Sequence, residues 1–273
     1  MIGYRNLLIS LFCSMAVSAA GQPRLVKSLV PDMPSQAPDY FCTWNLQGYV
    51  ASYKSTELTR AAMTEDYLFG DGLYQNWVDC YPAIRKDLYF VMDDSWDIPK
   101  DVNDSPNLYL GCVELSSDRF PSFRGDAVER LKQLSEQIKS KGWKGVGGWI
   151  CAQKAETHAA IPEEEYWKQR IKAANAAGFD YWKVDWGKED RNGEWRRKLT
   201  AIGKRYAPHL YIEHALRNEF IEFSDVFRTY DVENITAQPI TIRRICDLLP
   251  YKTVEGCLLY TSPSPRDPKT SRM

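Results

Sequence analysis

The heptapeptide YWKVDWG, residues 181–187, carries two charged residues inside an otherwise apolar, strand-like stretch. Side chains alternate between the two faces of a β-strand, so Lys183 and Asp185 are expected on the same face. A buried ion pair costs free energy unless its members find good partners. We therefore predict a strand whose charged end has a chemical purpose, with Lys183 favouring the ionised form of Asp185 and orienting it.

Strand-like and helix-like patterns alternate over the rest of the chain. Helical spacing is clear at Leu131, Leu134 and Ile138, which share one face of a helix that ends near Gly142. Alternating units of this kind predict a parallel sheet with helical crossovers. The six predicted strands are 40–45, 87–93, 144–150, 179–185, 210–213 and 225–228.

Polar and aromatic residues gather where these strands end. They are Asp93, Asp94, Trp149, Asp185, Glu213, Arg228 and Asp231. A doubly wound sheet has its ligand crevice at one switch point, whereas a (β/α)8 barrel draws site residues from the ends of many strands. The fold class predicted is therefore α/β, a (β/α)8 TIM barrel truncated after about six βα units.

The remaining segments have other compositions. Residues 1–20 pair Arg5 with the apolar run LLISLFCSMAV and the small residues SAAG, which predicts a signal peptide and export to the periplasm or the medium. Residues 21–38 read as a linker and 39–256 as the partial catalytic barrel. The stretch CLLYTSPSPRD begins a segment, 257–273, that we interpret as a non-native read-through tail, with a disordered Ser/Pro tail as the alternative.

Composition and motifs narrow the function. The chain has 273 residues, 44% of them hydrophobic, which is enough for a sizeable core. Its net charge of −1 argues against a nucleic-acid partner. Three histidines without ligand spacing, no C-x-x-C pair and no phosphate-binding loop predict neither a metal nor another cofactor. Nothing beyond the export signal predicts a membrane contact, and the oligomeric state is left open.

Carboxylates at strand ends, in an exported chain rich in Trp and Tyr, favour a carbohydrate substrate and glycoside hydrolysis, which uses a pair of carboxylates. Asp185 is the predicted nucleophile. Asp231, just past a strand end and three residues after Arg228, is the predicted acid/base.

Four segments resemble the α-galactosidase (melibiase) group, glycoside hydrolase family 27 and the wider family 27–36 clan. They are YFVMDDSW, DRFPS with the later KGWKGVGGW, FDYWKVDW and VFRTYDVEN. The resemblance covers about residues 40–250. It implies a retaining exo-glycosidase that releases terminal α-D-galactosyl residues from oligo- or polysaccharides by double displacement.

The resemblance also implies substrate-binding roles. The matching positions are Asp93, Asp94, Trp149, Lys183, Glu213, Leu216, Arg228 and Trp44. Asp93 and Asp94 would bind sugar hydroxyls, and either Trp44 or Gln47 would wall the pocket. Glu213 and Leu216 would fill the space that an acetamido group needs, which favours galactose over N-acetylgalactosamine.

Departures from the family pattern leave alternatives open. Ser95, Val184 and Phe227 stand where the family has Cys, an aromatic residue and Trp. A β-L-arabinopyranosidase, an α-N-acetylgalactosaminidase and a non-catalytic sugar-binding barrel therefore stay as alternatives. A barrel open at two strands also exposes sheet edges, so the chain alone is expected to dissolve poorly and can lack activity.

Overall fold

The computed structural model describes residues 38–215 and 223–228, together with the backbone at 258–259. At 227–228 it likewise describes the backbone alone. The predicted signal peptide, nearly all of the predicted linker, Leu216 and Asp231 lie outside the described residues.

The described strands form one parallel sheet in which each strand pairs with the next along the chain. They are β1 (Tyr40–Cys42), β2 (Tyr89–Met92), β3 (Gly145–Ile150), β4 (Tyr181–Val184), β5 (Tyr211–His214), β6 (Val226–Arg228) and β7 (Leu258–Leu259). Helices connect successive strands from β1 to β5, which is the arrangement of a partial (β/α) barrel and confirms the predicted fold class.

Six α-helices and three short 3₁₀ turns lie in the part of the chain that the structure describes. The helices are α1 (Trp44–Val50), α2 (Thr56–Ala61), α3 (Glu65–Phe69), α4 (Ala127–Ser140), α5 (Glu163–Ala176) and α6 (Gly193–Tyr206). The 3₁₀ turns are Trp77–Asp79, Arg85–Asp87 and Glu156–His158. Within residues 38–215 and 223–228, no helix has the length and apolarity needed to cross a membrane.

The strand predictions differ from the structure at two places. The strand predicted over 40–45 stops at Cys42, because the chain turns into α1 at Trp44. Strand β7 pairs with β6 and lies in the segment 257–273, which the sequence predicts to be a read-through or disordered tail and which is not among the six predicted strands.

Helix α4 shows why these elements form where they do. The Asp126 carboxylate accepts hydrogen bonds from the backbone N–H groups of Val128 and Glu129, and the Glu129 carboxylate accepts one from the Asp126 N–H. In this capping box both side chains are acceptors, so backbone donors that a helix start leaves unpaired are satisfied. At the other end, Gly142 takes φ +97°, a left-handed conformation that favours glycine.

The two faces of the sheet contact different surroundings. On the outer face, Phe90, Met92, Trp182, Val184 and Ile212 pack in one cluster with apolar residues of α4, α5 and α6. On the inner face, a separate cluster contains Tyr40, Tyr89, Val91, Tyr181, Tyr211 and Val226. The alternation expected for a strand thus sorts each strand's residues into helix-facing and barrel-facing sets.

Glycines in β3 make room for bulky inner-face neighbours. A Cβ at Gly147 would lie 2.3 Å from the Tyr181 carbonyl oxygen, and one at Gly145 would lie 2.6 Å from the Tyr89 ring. The GVGG stretch therefore serves aromatic packing inside the barrel, which agrees with its lack of a full nucleotide-binding pattern.

Candidate active site

A buried salt bridge lies at the end of the inner face where the strands finish. Lys183 Nζ in β4 is 2.7 Å from Oδ2 of Asp93, which directly follows β2, and both side chains are less than 10% exposed. The sequence predicted that Lys183 would orient Asp185. Its salt bridge instead reaches past β3 to Asp93, because inner-face side chains of β2 and β4 meet inside the barrel.

The charges of this pair support each other. Burial is the largest influence and works against the ionised form of Asp93, but the Lys183 ammonium and the hydrogen bonds from Cys42, Lys183 and the Asp94 N–H together outweigh it and lower the pKa of Asp93 below its usual range. Burial likewise is the largest influence and works against charged Lys183, but the Asp93 carboxylate and further acidic groups nearby, including Asp185 and Glu213, together outweigh it and raise the pKa of Lys183 well above its usual range. Both groups are therefore charged at neutral pH.

Asp185 is held from the neighbouring strand. Nε1 of the buried Trp149 in β3 donates to Asp185 Oδ2 at 3.1 Å, and the Asp185 N–H donates to the Ile150 carbonyl at 3.0 Å. The guanidinium of Arg196 in α6 donates to the Asp185 carbonyl oxygen at 2.5 Å. Asp185 itself is only partly buried. The structure thus brings Trp149 and Asp185 together at a residue that is not fully buried.

Asp94 has its own cation. Nε of Arg60, in α2, lies 2.9 Å from Asp94 Oδ2, and the Ser95 hydroxyl donates to Oδ1 at 3.0 Å. Burial nevertheless prevails and raises the pKa of Asp94 to about 6. The Arg60 guanidinium also lies 5.3 Å from the ring centroid of Trp186, which packs against Trp149. Arg60 therefore connects Asp94 with the aromatic residues beside Asp185.

Glu213 lies inside the barrel and is fully buried. Its Oε2 accepts a hydrogen bond from the Tyr181 hydroxyl at 2.8 Å, and Tyr40 donates to Oε1 at 3.5 Å. Lys183 is the strand neighbour of Glu213 in the β4–β5 register. Glu213 therefore lies between the inner-face tyrosines and the charged residues Asp93 and Lys183.

The other predicted site residues are more scattered. Trp44 lines a surface cleft of about 240 Å³ with Gly48 and Tyr53. Gln47 is buried and donates to the Asp94 carbonyl at 3.1 Å. Arg228 is in β6, where the structure describes its backbone alone. Leu216 and Asp231 lie outside the described residues, so the predicted facing of Asp185 and Asp231 stays a prediction.

Two further residues of the site were not predicted. The Cys42 thiol donates to Asp93 Oδ2 at 2.8 Å, and Arg60 pairs with Asp94. Cys42 is the last residue of β1 in the structure, but the strand was predicted to run to residue 45, which placed Cys42 inside the strand and not at its end. Arg60 is in a helix 34 positions before Asp94, where no sequence signal marks it.

Neither a metal cluster nor a disulfide occurs in the ranges the structure describes. No three His, Cys, Asp or Glu side chains there are grouped to hold a metal ion. The four cysteines within those ranges are free thiols: Cys42, Cys80, Cys112 and Cys151.

A second cleft, of about 250 Å³, lies between the loops that follow β3 and β4 and includes Gln153 and Lys188.

The chain matches no known family profile and no curated protein. Its fold is similar to that of a glycoside hydrolase family 27 β-L-arabinopyranosidase from Geobacillus stearothermophilus, solved as a point variant with arabinose. The TM-score is 0.53 at 16% identity, covering 74% of this chain and 58% of that one. The wild-type enzyme gives 0.50 at 13% identity, covering 82% and 60%.

An α-galactosidase from Mortierella vinacea is also similar, at 16% identity over 71% of this chain and 45% of that one, but its TM-score of 0.41 is too low to support an argument. The chain spans 58% and 60% of the two arabinopyranosidase chains. At these identities the similarity establishes the fold. This similarity confirms the predicted resemblance to family 27 at the level of the barrel fold.

Proposed function

We propose that this chain is a retaining exo-glycosidase that hydrolyses terminal α-D-galactosyl residues from oligo- or polysaccharides. The observation that carries the proposal is the hydrogen bond from Trp149 Nε1 to Asp185 Oδ2, at 3.1 Å, beside the buried Asp93–Lys183 pair. An oriented, partly exposed carboxylate next to buried polar groups is what a nucleophile for a sugar ring requires.

In the proposed reaction, the Asp185 carboxylate attacks the anomeric carbon while Asp231 protonates the departing oxygen. The bond to the leaving group breaks, and a covalent glycosyl-enzyme forms at Asp185. Asp231 then takes a proton from water, whose oxygen attacks the anomeric carbon and frees both the sugar and Asp185. The role of Asp231 rests on the sequence resemblance alone.

Binding of the sugar is proposed to fall to the carboxylates at the ends of the strands. Asp93, kept ionised by Lys183, would accept a hydrogen bond from a hydroxyl group. Asp94 would do the same beside Arg60, and Arg228 and Trp44 are proposed to contribute from β6 and α1 as the resemblance implies. We propose that no cofactor takes part, because the chemistry needs only acid and base groups.

A β-L-arabinopyranosidase is the second candidate. The Geobacillus stearothermophilus enzyme, similar to this chain at TM-scores of 0.53 and 0.50 in its variant and wild-type structures, is described as a β-L-arabinopyranosidase. The two sugars share their ring hydroxyl pattern and differ in the exocyclic CH₂OH. Comparing kcat/KM for nitrophenyl α-D-galactopyranoside and nitrophenyl β-L-arabinopyranoside decides between them.

Export through residues 1–20 is part of the same proposal, and cleavage near Ala20 in an exporting host would support it.

Replacing the nucleophile tests the proposal directly. Asp185→Asn is expected to lower kcat for the nitrophenyl galactoside at least about 10³-fold, because the amide cannot form the glycosyl-enzyme. Galactose binding, measured by calorimetry, is expected to change less than about threefold, since the amide keeps the shape of the carboxylate. Asp104→Asn, in an exposed loop, is the matched control. Undiminished turnover by Asp185→Asn would remove Asp185 from the mechanism.

Covalent trapping gives a second readout. A fluorinated α-galactosyl inactivator is expected to label the peptide that contains Asp185 with one sugar per chain, seen by mass spectrometry. Labelling of another carboxylate would reassign the nucleophile.

A further inference from the structure

The Cys42 thiol is the third member of the buried Asp93–Lys183 cluster. Its sulfur lies 2.8 Å from Asp93 Oδ2 and 3.7 Å from Lys183 Nζ. Asp93 Oδ2 thus accepts from both a thiol and an ammonium, and Oδ1 accepts from the Asp94 N–H at 2.9 Å. Each of these donors is supplied by a different strand or strand end, so the carboxylate is fixed from three directions.

These contacts limit what Asp93 can offer a ligand. An ionised carboxylate has about four acceptor sites on its two oxygens. The Asp94 N–H, the Cys42 thiol and the Lys183 ammonium take three of them. About one site therefore remains for a sugar hydroxyl, and its direction is set by the three donors already present.

We propose that Cys42 is a positioning residue for the sugar-binding carboxylate Asp93, an inference that rests on the proposed function. Its thiol acts as a fixed donor that holds Asp93 Oδ2 against Lys183 and reserves the remaining acceptor direction for one hydroxyl of the substrate. Cys42 does not touch the reacting atoms, so its effect is on binding of the sugar and not on bond cleavage.

This role requires the thiol to keep its proton. A neighbouring ammonium ordinarily favours a thiolate. Here burial and the Asp93 charge raise the pKa of Cys42 far above its usual range and outweigh Lys183. A thiolate would face the Asp93 carboxylate at hydrogen-bond distance, and the proton between them removes that repulsion.

Alkylation tests the contact without any need for turnover. The full chain is treated with iodoacetamide at pH 8, and the alkylated peptides of Cys42 and Cys80 are followed by mass spectrometry. Asp93→Asn removes the charge that holds the proton but leaves Lys183, so the Cys42 rate relative to Cys80 is expected to rise about tenfold, equal to one pKa unit. Cys80, a half-buried free thiol that directly follows the 3₁₀ turn Trp77–Asp79, is the internal reference.

Lys183→Gln is the opposing variant. It removes the cation that favours the thiolate, so the same ratio is expected to fall below that of the wild type. If a variant unfolds, the alkylation rates of all its cysteines rise together, which distinguishes unfolding from a specific change at Cys42. An unchanged Cys42-to-Cys80 ratio in folded Asp93→Asn would overturn the proposal, as would a rise in Lys183→Gln.

Kinetics test the consequence for binding. Cys42→Ala removes the donor, and KM for the nitrophenyl galactoside is expected to rise about fivefold with kcat within about twofold. Cys42→Ser keeps a donor and is expected to restore most of the KM, while Cys80→Ala controls for loss of a thiol. Equal KM values for the wild type and Cys42→Ala would overturn the positioning role. A wild type without turnover on either nitrophenyl sugar would count against the glycosidase proposal, while alkylation still decides the Cys42–Asp93 contact.

Discussion

The outer and inner faces of the barrel sheet bury their side chains in different ways. Trp182 and Val184 point to the helices and need only apolar neighbours. Tyr181 and Lys183, on the same strand, point inward and depend on particular partners, Glu213 and Asp93. The outer face is thus stabilised by contact area, whereas the inner face is stable only if each polar group finds its match.

The inner face therefore carries both the polar residues of the candidate site and the positions where a single substitution is expected to cost most stability. Replacing a buried apolar residue leaves a cavity, but replacing one member of a buried ion pair leaves a charge with no partner. Asp93, Lys183 and Glu213 are charged residues of this kind, and they lie beside the inner-face tyrosines near the strand ends. Such an arrangement suits a site that binds hydroxyl groups, because the polar groups are already oriented before the ligand arrives.

The largest effect on stability is expected from breaking the central pair. Lys183→Met should lower the free energy of unfolding at pH 7 by about 3–5 kcal/mol, because the Asp93 carboxylate stays buried without its cation. The double variant Lys183→Met/Asp93→Asn should regain at least about 2 kcal/mol, since no lone charge remains. Urea unfolding followed by Trp fluorescence measures both. A double variant as unstable as the single one would show that packing, not charge, governs this layer.

A smaller loss is expected from crowding the inner face. Gly147→Ala should cost about 1–3 kcal/mol, because the new Cβ would lie 2.3 Å from the Tyr181 carbonyl oxygen and the two strands must move apart. Gly178→Ala is the comparison: there the nearest atom is 3.5 Å away and the φ of +70° is the problem, for which about 1 kcal/mol is expected. Thermal unfolding of the two variants checks the order.

The pH dependence of stability should reveal a further buried carboxylate, Asp97. Asp97 accepts a hydrogen bond from the Val113 N–H at 2.8 Å, but burial raises its pKa to about 7. The folded protein then binds a proton that the unfolded chain releases near pH 4, so this group destabilises the fold progressively between about pH 4 and 7. Asp97→Asn should therefore be more stable than the wild type at pH 8, by on the order of 2 kcal/mol, and nearly equal to it at pH 4.

Asp118 provides a control of opposite sign. Burial would raise its pKa, but hydrogen bonds from Ser116 and from the Lys100 N–H outweigh it and lower the pKa below its usual range. Asp118→Asn should therefore lose stability at pH 8 and little at pH 3. Thermal unfolding across pH 3–8 separates the two variants, and parallel curves for both would contradict the assignment of Asp97.

The smallest effect is expected on the solvent side of the helices. Lys198 and Glu194 form an exposed i, i+4 pair on α6. Water screens such pairs, so Lys198→Ala should leave the Tm unchanged within the error of the measurement. A clear fall in Tm would mean that this surface is covered in the native protein.

Strand positions and the polar strand ends were predictable because both depend on local order along the chain. A run such as YFVMDD is apolar over four residues and then ends in two acids, which predicts Asp93 and Asp94 at a strand end. The pairing of Lys183 was not predictable in the same way. Residues two apart on a strand are about 6.6 Å apart along it, while a long side chain pointing into a barrel can reach another strand altogether.

The sequence by itself determined the alternation of strands and helices, the face on which each residue lies and the chemical types gathered at the strand ends. These follow from the fixed geometry of the backbone, which repeats every two residues in a strand and every 3.6 in a helix. Only the tertiary structure decided that Lys183 and Cys42 both turn to Asp93, and that Arg60 turns to Asp94. Contacts between distant segments depend on how the curved sheet of the partial barrel brings its inner-face side chains together, and no local pattern encodes that distance.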